Sequence, residues 1–128
     1  MKNLLFLYLF ISSQVFAHGM DKPGPHGGHI RMIGTIHTEL IVNKSNFEVY
    51  LLDIGFKNAT VKDSKVEATI TLEGKNVSQI ICQAVDKRFL CKLPKPSGKA
   101  TKISLKVVRE NYSPKDLAEY LLPLTFQN

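Results

Sequence analysis

The stretch Lys65-Val66-Glu67-Ala68-Thr69-Ile70-Thr71-Leu72-Glu73 alternates polar and apolar residues without a break. A period of two is the signature of a β-strand buried on one side, with Val66, Ala68, Ile70 and Leu72 toward a core. Glu73-Gly74-Lys75-Asn76 reads as the turn that ends it, and residues 77–85 and 88–93 read as two further strands. Upstream, residues 35–43 alternate, with Ile36, Leu40 and Val42 on the inward parity and Thr35, His37 and Glu39 on the outward one. Asn43-Lys44-Ser45-Asn46 turns the chain, and Phe47, Val49 and Leu51 then alternate with Glu48 and Tyr50. Downstream, residues 101–109 alternate with Ile103, Leu105 and Val107 inward. Residues 114–120 read as one helical turn leading to a last strand at 121–126.

The two cysteines provide a register. If Asp86-Lys87 is a two-residue turn, Val85 pairs with Arg88, Ala84 with Phe89, Gln83 with Leu90 and Cys82 with Cys91. Alternation makes Cys82/Cys91 a non-hydrogen-bonded pair with Cα atoms about 4.5 Å apart, a separation a disulfide spans. The same register puts Ile80, Ala84, Phe89 and Leu93 on the cysteine face, as core. A redox pair would have two intervening residues rather than eight, so the pairing reads as structural.

About seven or eight short strands joined by tight turns make an all-β domain, an antiparallel immunoglobulin-like sandwich with one disulfide. A small β-barrel is the alternative. The length of 128 residues leaves room for one domain, and 44% hydrophobic residues exclude a wholly disordered chain.

Residues 1–17 stand apart. Met1-Lys2-Asn3 carries one positive charge, residues 4–11 are an unbroken apolar run, and Val15-Phe16-Ala17 ends the segment on a cleavage triplet. This is the pattern of a cleaved secretory signal, and the run is too short to span a bilayer. The expected mature chain has 111 residues, the 128 less the first seventeen, beginning at His18 in an oxidising periplasm. Residues 18–28 read as a Gly/Pro/His-rich arm and 29–128 as the sandwich.

A histidine at the N-terminus joins its α-amine and imidazole Nδ1 in one chelate, a nitrogen-rich set that suits copper(II). All four histidines, His18, His26, His29 and His37, lie within twenty residues, with Met20 and Met32 among them and Glu39 just after. Imidazole, thioether and carboxylate are metal-ligand types, so this stretch is the candidate site, for copper and, second, for zinc. Against it stands the reading in which the arm merely carries polar histidines and Met32 sits in the core beside Ile30.

No nucleophile elbow, phosphate loop or paired-carboxylate motif is present, and the chain reads as non-catalytic. The net charge of +6 falls to +5 without Lys2. Residues 87–109 hold eight Lys and Arg and no acid, a solvated sheet face by its alternation. Nucleic acid is not the expected partner, because no aromatic residues interleave with the basic ones for stacking.

Pro25-His26-Gly27-Gly28-x-Ile30-x-Met32-x-Gly34-x-x-His37-Thr38-Glu39-Leu40, followed by Val49-Tyr50-Leu51-Leu52-Asp53, resembles small exported bacterial proteins associated with heavy-metal handling. In architecture the chain is similar to CopC-like periplasmic copper carriers, whose processed chains begin with a copper-ligating His. His18 matches that ligand. The distal Asp and His ligands of that family have no counterpart, since no His follows His37, and the disulfide is foreign to it. The resemblances imply metal buffering, delivery or resistance, with a metal exporter or other envelope protein as partner. The alternative is a non-catalytic envelope interaction module using a basic sheet face.

Overall fold

The computed structural model describes residues 22–95, 99–110 and 115–126. Among the described residues nine antiparallel strands form two open sheets. Sheet A runs in the order β1 (His29–Ile33), β2 (Ile36–Val42), β3 (Asn46–Leu52), β7 (Arg88–Lys92), β6 (Gln83–Val85). Sheet B runs β5 (Val77–Ile81), β4 (Ser64–Leu72), β8 (Ala100–Arg109), β9 (Ala118–Leu121). This is the expected sandwich in its broad architecture, not a closed barrel.

The alternation that defines β4 holds: Val66, Ala68 and Ile70 are buried and pack with Ile103, Leu105 and Val107 of β8 and with Phe47, Val49 and Leu51 of β3. Apolar side chains from both inner faces thus share one core, which is the main driving force for stacking the sheets.

The β6–β7 hairpin has the register read from its turn. Val85 pairs with Arg88, Ala84 with Phe89 and Gln83 with Leu90. Cys82 and Cys91 are disulfide-bonded with Cα atoms 4.6 Å apart. Two details differ from the sequence reading. Residues 77–85 are not one strand: β5 belongs to sheet B and β6 to sheet A, and the chain crosses between sheets at Cys82. The Cys82 amide still donates to Val66 of β4 (2.9 Å), while its sulfur is bonded to Cys91 of β7. In addition Ala84 is exposed rather than core, because β6 is a three-residue edge strand that has already left the sheet-to-sheet interior.

The C-terminal reading is corrected. Residues 115–117 carry no helix, and the last strand is Ala118–Leu121, earlier than the expected 121–126. Its register is set by the fully buried Tyr120, which faces Ile103 of β8. The Tyr120 hydroxyl lies 2.6 Å from the Thr38 hydroxyl and within reach of the carbonyls of Thr38 (3.0 Å) and His29 (3.3 Å). A strand of sheet B is thereby hydrogen-bonded to the first two strands of sheet A, and the Arg31 guanidinium covers the ring at 4.9 Å.

The basic segment is divided. Arg88 and Lys92 lie on β7 of sheet A, and Lys102, Lys106 and Arg109 on β8 of sheet B. Arg88 is paired with Glu48 of β3 at 2.8 Å.

Replacing Cys82 and Cys91 together by Ala should cost about 2–3 kcal/mol, since the bridge closes a short loop of nine-residue separation. Denaturant titration of the oxidised protein and the double variant measures it. Removing the Tyr120 hydroxyl with Tyr120→Phe should cost about 1–2 kcal/mol in the same assay.

Candidate functional site

Part of the candidate set gathers on the outer face of sheet A. β1 and β2 pair so that Met32 faces His37 and Ile30 faces Glu39, while β2 and β3 pair His37 with Leu52 and Glu39 with Tyr50. Adjacent residues on a strand point to opposite faces. Met32, His37 and Glu39 therefore share the outer face, and His29 leaves β1 on the inner one.

That outer face is not bare, and here the sequence reading needs its largest correction. Glu39 is 0% exposed and His37 is buried. β2 is covered on both sides over most of its length, so polar/apolar parity stops reporting burial there. Two loops do the covering. Residues 22–28 fold back over Glu39, and residues 53–58 fold over His37.

The first loop is organised by the Glu39 carboxylate. One oxygen accepts the backbone N–H of His26 (2.8 Å) and of Gly28 (3.0 Å), and the other accepts Nδ1–H of His26 at 2.7 Å. A buried carboxylate is costly unless its lone pairs are satisfied, and these three donors satisfy them. The approach is close enough to dictate glycine. A Cβ on Gly28 would lie 2.7 Å from the Leu40 carbonyl and 2.8 Å from Glu39 Cγ, and one on Gly24 would lie 2.5 Å from Glu39 Oε1. Gly27 has φ of +80°, a conformation that β-carbons disfavour. The His26 ring stacks on Tyr50 with centroids 3.7 Å apart and planes 6° from parallel. The Pro-His-Gly-Gly sequence is thus a strap fitted to one carboxylate, docked on the sheet rather than free as an arm. Glu39 is the anchor of that strap: it is fully buried, and both its oxygens are taken up by donors of the strap.

The second loop is organised by Asp53. Its carboxylate accepts the backbone N–H of Lys57 (2.9 Å), the Asn58 side-chain amide (2.7 Å) and the backbone N–H of Gly55 (3.0 Å). These bonds, the one from Lys57 foremost, hold the Asp53 carboxyl below its ordinary value. The loop places the Asp53 carbonyl 3.1 Å from His37 Nδ1 and lays Phe56 against the His37 ring at 4.2 Å. A carbonyl only accepts, so His37, like His26, carries its proton on Nδ1.

The remaining candidates lie elsewhere. His29 is buried and stacks on Phe126 with centroids 3.8 Å apart, away from the other two rings. Met32 is 62% exposed, not in the core. His18 and Met20 lie outside the described residues. Among the described residues no three His, Cys, Asp or Glu side chains converge as a closed metal cage requires. Sequence reasoning missed Tyr50, Asp53 and Phe56 as supports of the histidines. Tyr50, two residues before the end of β3, and Phe56, four residues after it, were the available aromatic signal.

No family model, curated protein or solved structure matches this chain.

Two outcomes are expected. Gly28→Ala should cost about 2 kcal/mol through overpacking against the Leu40 carbonyl, read as a lowered denaturation midpoint. Because the folded Asp53 carboxyl is depressed, its contribution is present above the ordinary carboxylate range and is lost as pH falls through the depressed value. The protection factors of the Gly55 and Lys57 amides, exchange rates taken relative to the intrinsic rate at each pH, should therefore fall on acidification before those of the core strands do, and Asp53→Asn should abolish that fall.

Proposed function

We propose that this protein is an exported, periplasmic metal-binding protein that carries copper, with zinc as the second candidate, in buffering, delivery or resistance. The observation that carries the reading is the state of two imidazoles on one sheet face. His26 commits Nδ1 to a buried carboxylate and His37 commits Nδ1 to a backbone carbonyl, so Nε2 is the nitrogen each retains for a ligand. A carboxylate or carbonyl behind the imidazole is the usual outer partner of a metal-ligating histidine. The expected cleavage after Ala17 adds the His18 amine and imidazole just ahead of the strap, and the metal-handling resemblance of residues 23–54 points the same way.

The metal is cargo in this reading, and an incomplete ligand set among the described residues suits a protein that passes it on to an envelope partner such as an exporter. The alternative, an envelope module acting through one basic face, draws less support because the basic residues of 87–109 are shared between the two sheets.

Titration of the chain beginning at His18 with Cu(II) tests the reading. Binding should occur, should weaken when one residue is added before His18, and should weaken independently in His26→Ala. Absence of Cu(II) binding by the chain beginning at His18 overturns it.

A further inference from the structure

Glu39 does more than anchor the strap. We infer that Glu39 is a positioning residue that selects the ligating nitrogen of His26, holding the proton on Nδ1 so that Nε2 is the atom offered to a divalent copper ion. The inference deepens the metal-binding reading and rests on it.

The two carboxylate oxygens of Glu39 take different donors. Oε1 accepts two backbone N–H groups, from His26 and Gly28. Oε2 faces His26 Nδ1 alone among these donors, at 2.7 Å. A carboxylate has no proton to give, so Nδ1 must be the donor, and the neutral ring then bears its lone pair on Nε2. The ring has no freedom to escape this choice by flipping, since it lies flat on Tyr50 at 3.7 Å and its own backbone N–H is bonded to the same carboxylate. The pair is also poised at the boundary of the fold. Glu39 is fully buried, whereas the His26 side chain is 36% exposed. The fixed, apolar-backed side of the ring is turned to the sheet, and the ring remains accessible to an ion.

Two consequences follow from the chemistry. A negative partner on Nδ1–H strengthens Nε2 as an electron-pair donor toward a divalent ion. And metal held by His26 is mechanically tied to β2 through Glu39, so a loaded strap is a docked strap.

Glu39→Gln separates this role from simple anchoring. The amide oxygen of Gln can take the place of Oε1 and keep both backbone bonds. Its NH2 group then takes the place of Oε2 and donates to Nδ1, which moves the ring proton to Nε2 and blocks that nitrogen. The first measurement needs no variant and no metal. Nitrogen-15 NMR of the His26 ring, in the full chain in mildly alkaline buffer, should report the Nδ1–H tautomer, and an Nε2–H tautomer overturns the inference. In Glu39→Gln the same spectrum should report Nε2–H, with the strap amides of His26 and Gly28 still protected from exchange.

The second measurement is Cu(II) affinity of the chain beginning at His18. Glu39→Gln should lose about 10–100-fold and fall to the level of His26→Ala. Wild-type affinity in Glu39→Gln overturns this inference while leaving the metal-binding reading intact. Absence of Cu(II) binding by wild type overturns both, and the two failures are therefore distinct.

Discussion

The Glu39 carboxylate is the constraint around which the outer face of sheet A and its strap are arranged. A carboxylate removed from water would be prohibitive alone, and its cost is offset here by two backbone amides and one imidazole N–H drawn from a single short loop. That requirement propagates. The loop must come within van der Waals distance of β2, so Gly24 and Gly28 have no room for a β-carbon. It must turn back on itself, which it does through the bonds from the Gly27 amide to the Gly24 carbonyl and from the Gly24 amide to the Gly28 carbonyl. It must deliver an imidazole, which then finds Tyr50 as its floor. Glycines, histidine and carboxylate are parts of one solution to one electrostatic problem.

The same logic recurs on a smaller scale one loop along. Asp53 gathers the amides of Gly55, Lys57 and Asn58, and the fold of that loop brings its own carbonyl to His37 and Phe56 over the ring. Each of the two outward histidines is therefore gripped in the same way, by an acceptor at Nδ1 and an aromatic ring on one face. On the far side of sheet A the inner face is held by different means. Apolar packing fills most of it, the Tyr120–Thr38 hydrogen bond ties it to β9, and the Cys82–Cys91 bridge ties the sheet-crossing point to β7. The rigid scaffold and the two histidine grips thus occupy opposite sides of the same three strands.

How far the sequence could be read depended on whether burial followed strand parity. Along β4, β8 and the inner face of β3 it did, because sheet B and the middle of sheet A have one wet face, and the apolar alternation there mapped directly onto the core. The β6–β7 hairpin was legible to the residue, since a two-residue turn leaves one register and that register brought two cysteines opposite each other. Along β2 parity failed. Its outward residues His37 and Glu39 are as hidden as its inward ones, and nothing in residues 35–43 signals that loops from either side will cover them. The break at Cys82 was likewise invisible, because residues 77–85 contain neither Gly nor Pro and the change of sheet is imposed by the disulfide and by the bond to Val66. The described candidate residues are divided by the fold, with His29 turned inward to Phe126 and Met32 left in solvent.

What the sequence by itself determined is local: which segments alternate, where turns must fall, which cysteines can meet, and that ligand-type side chains crowd the stretch before and within the first strands. These follow from chain geometry over a few residues and need no knowledge of the rest. What only the tertiary structure decided is the surroundings of each group in that crowd. Whether a carboxylate is a ligand or an anchor, and which nitrogen of an imidazole carries the proton, depends on what lies across the strands and above the sheet. Burial is a property of the assembled layers, and hydrogen-bond partners thirteen or sixteen residues apart are chosen by packing rather than by spacing.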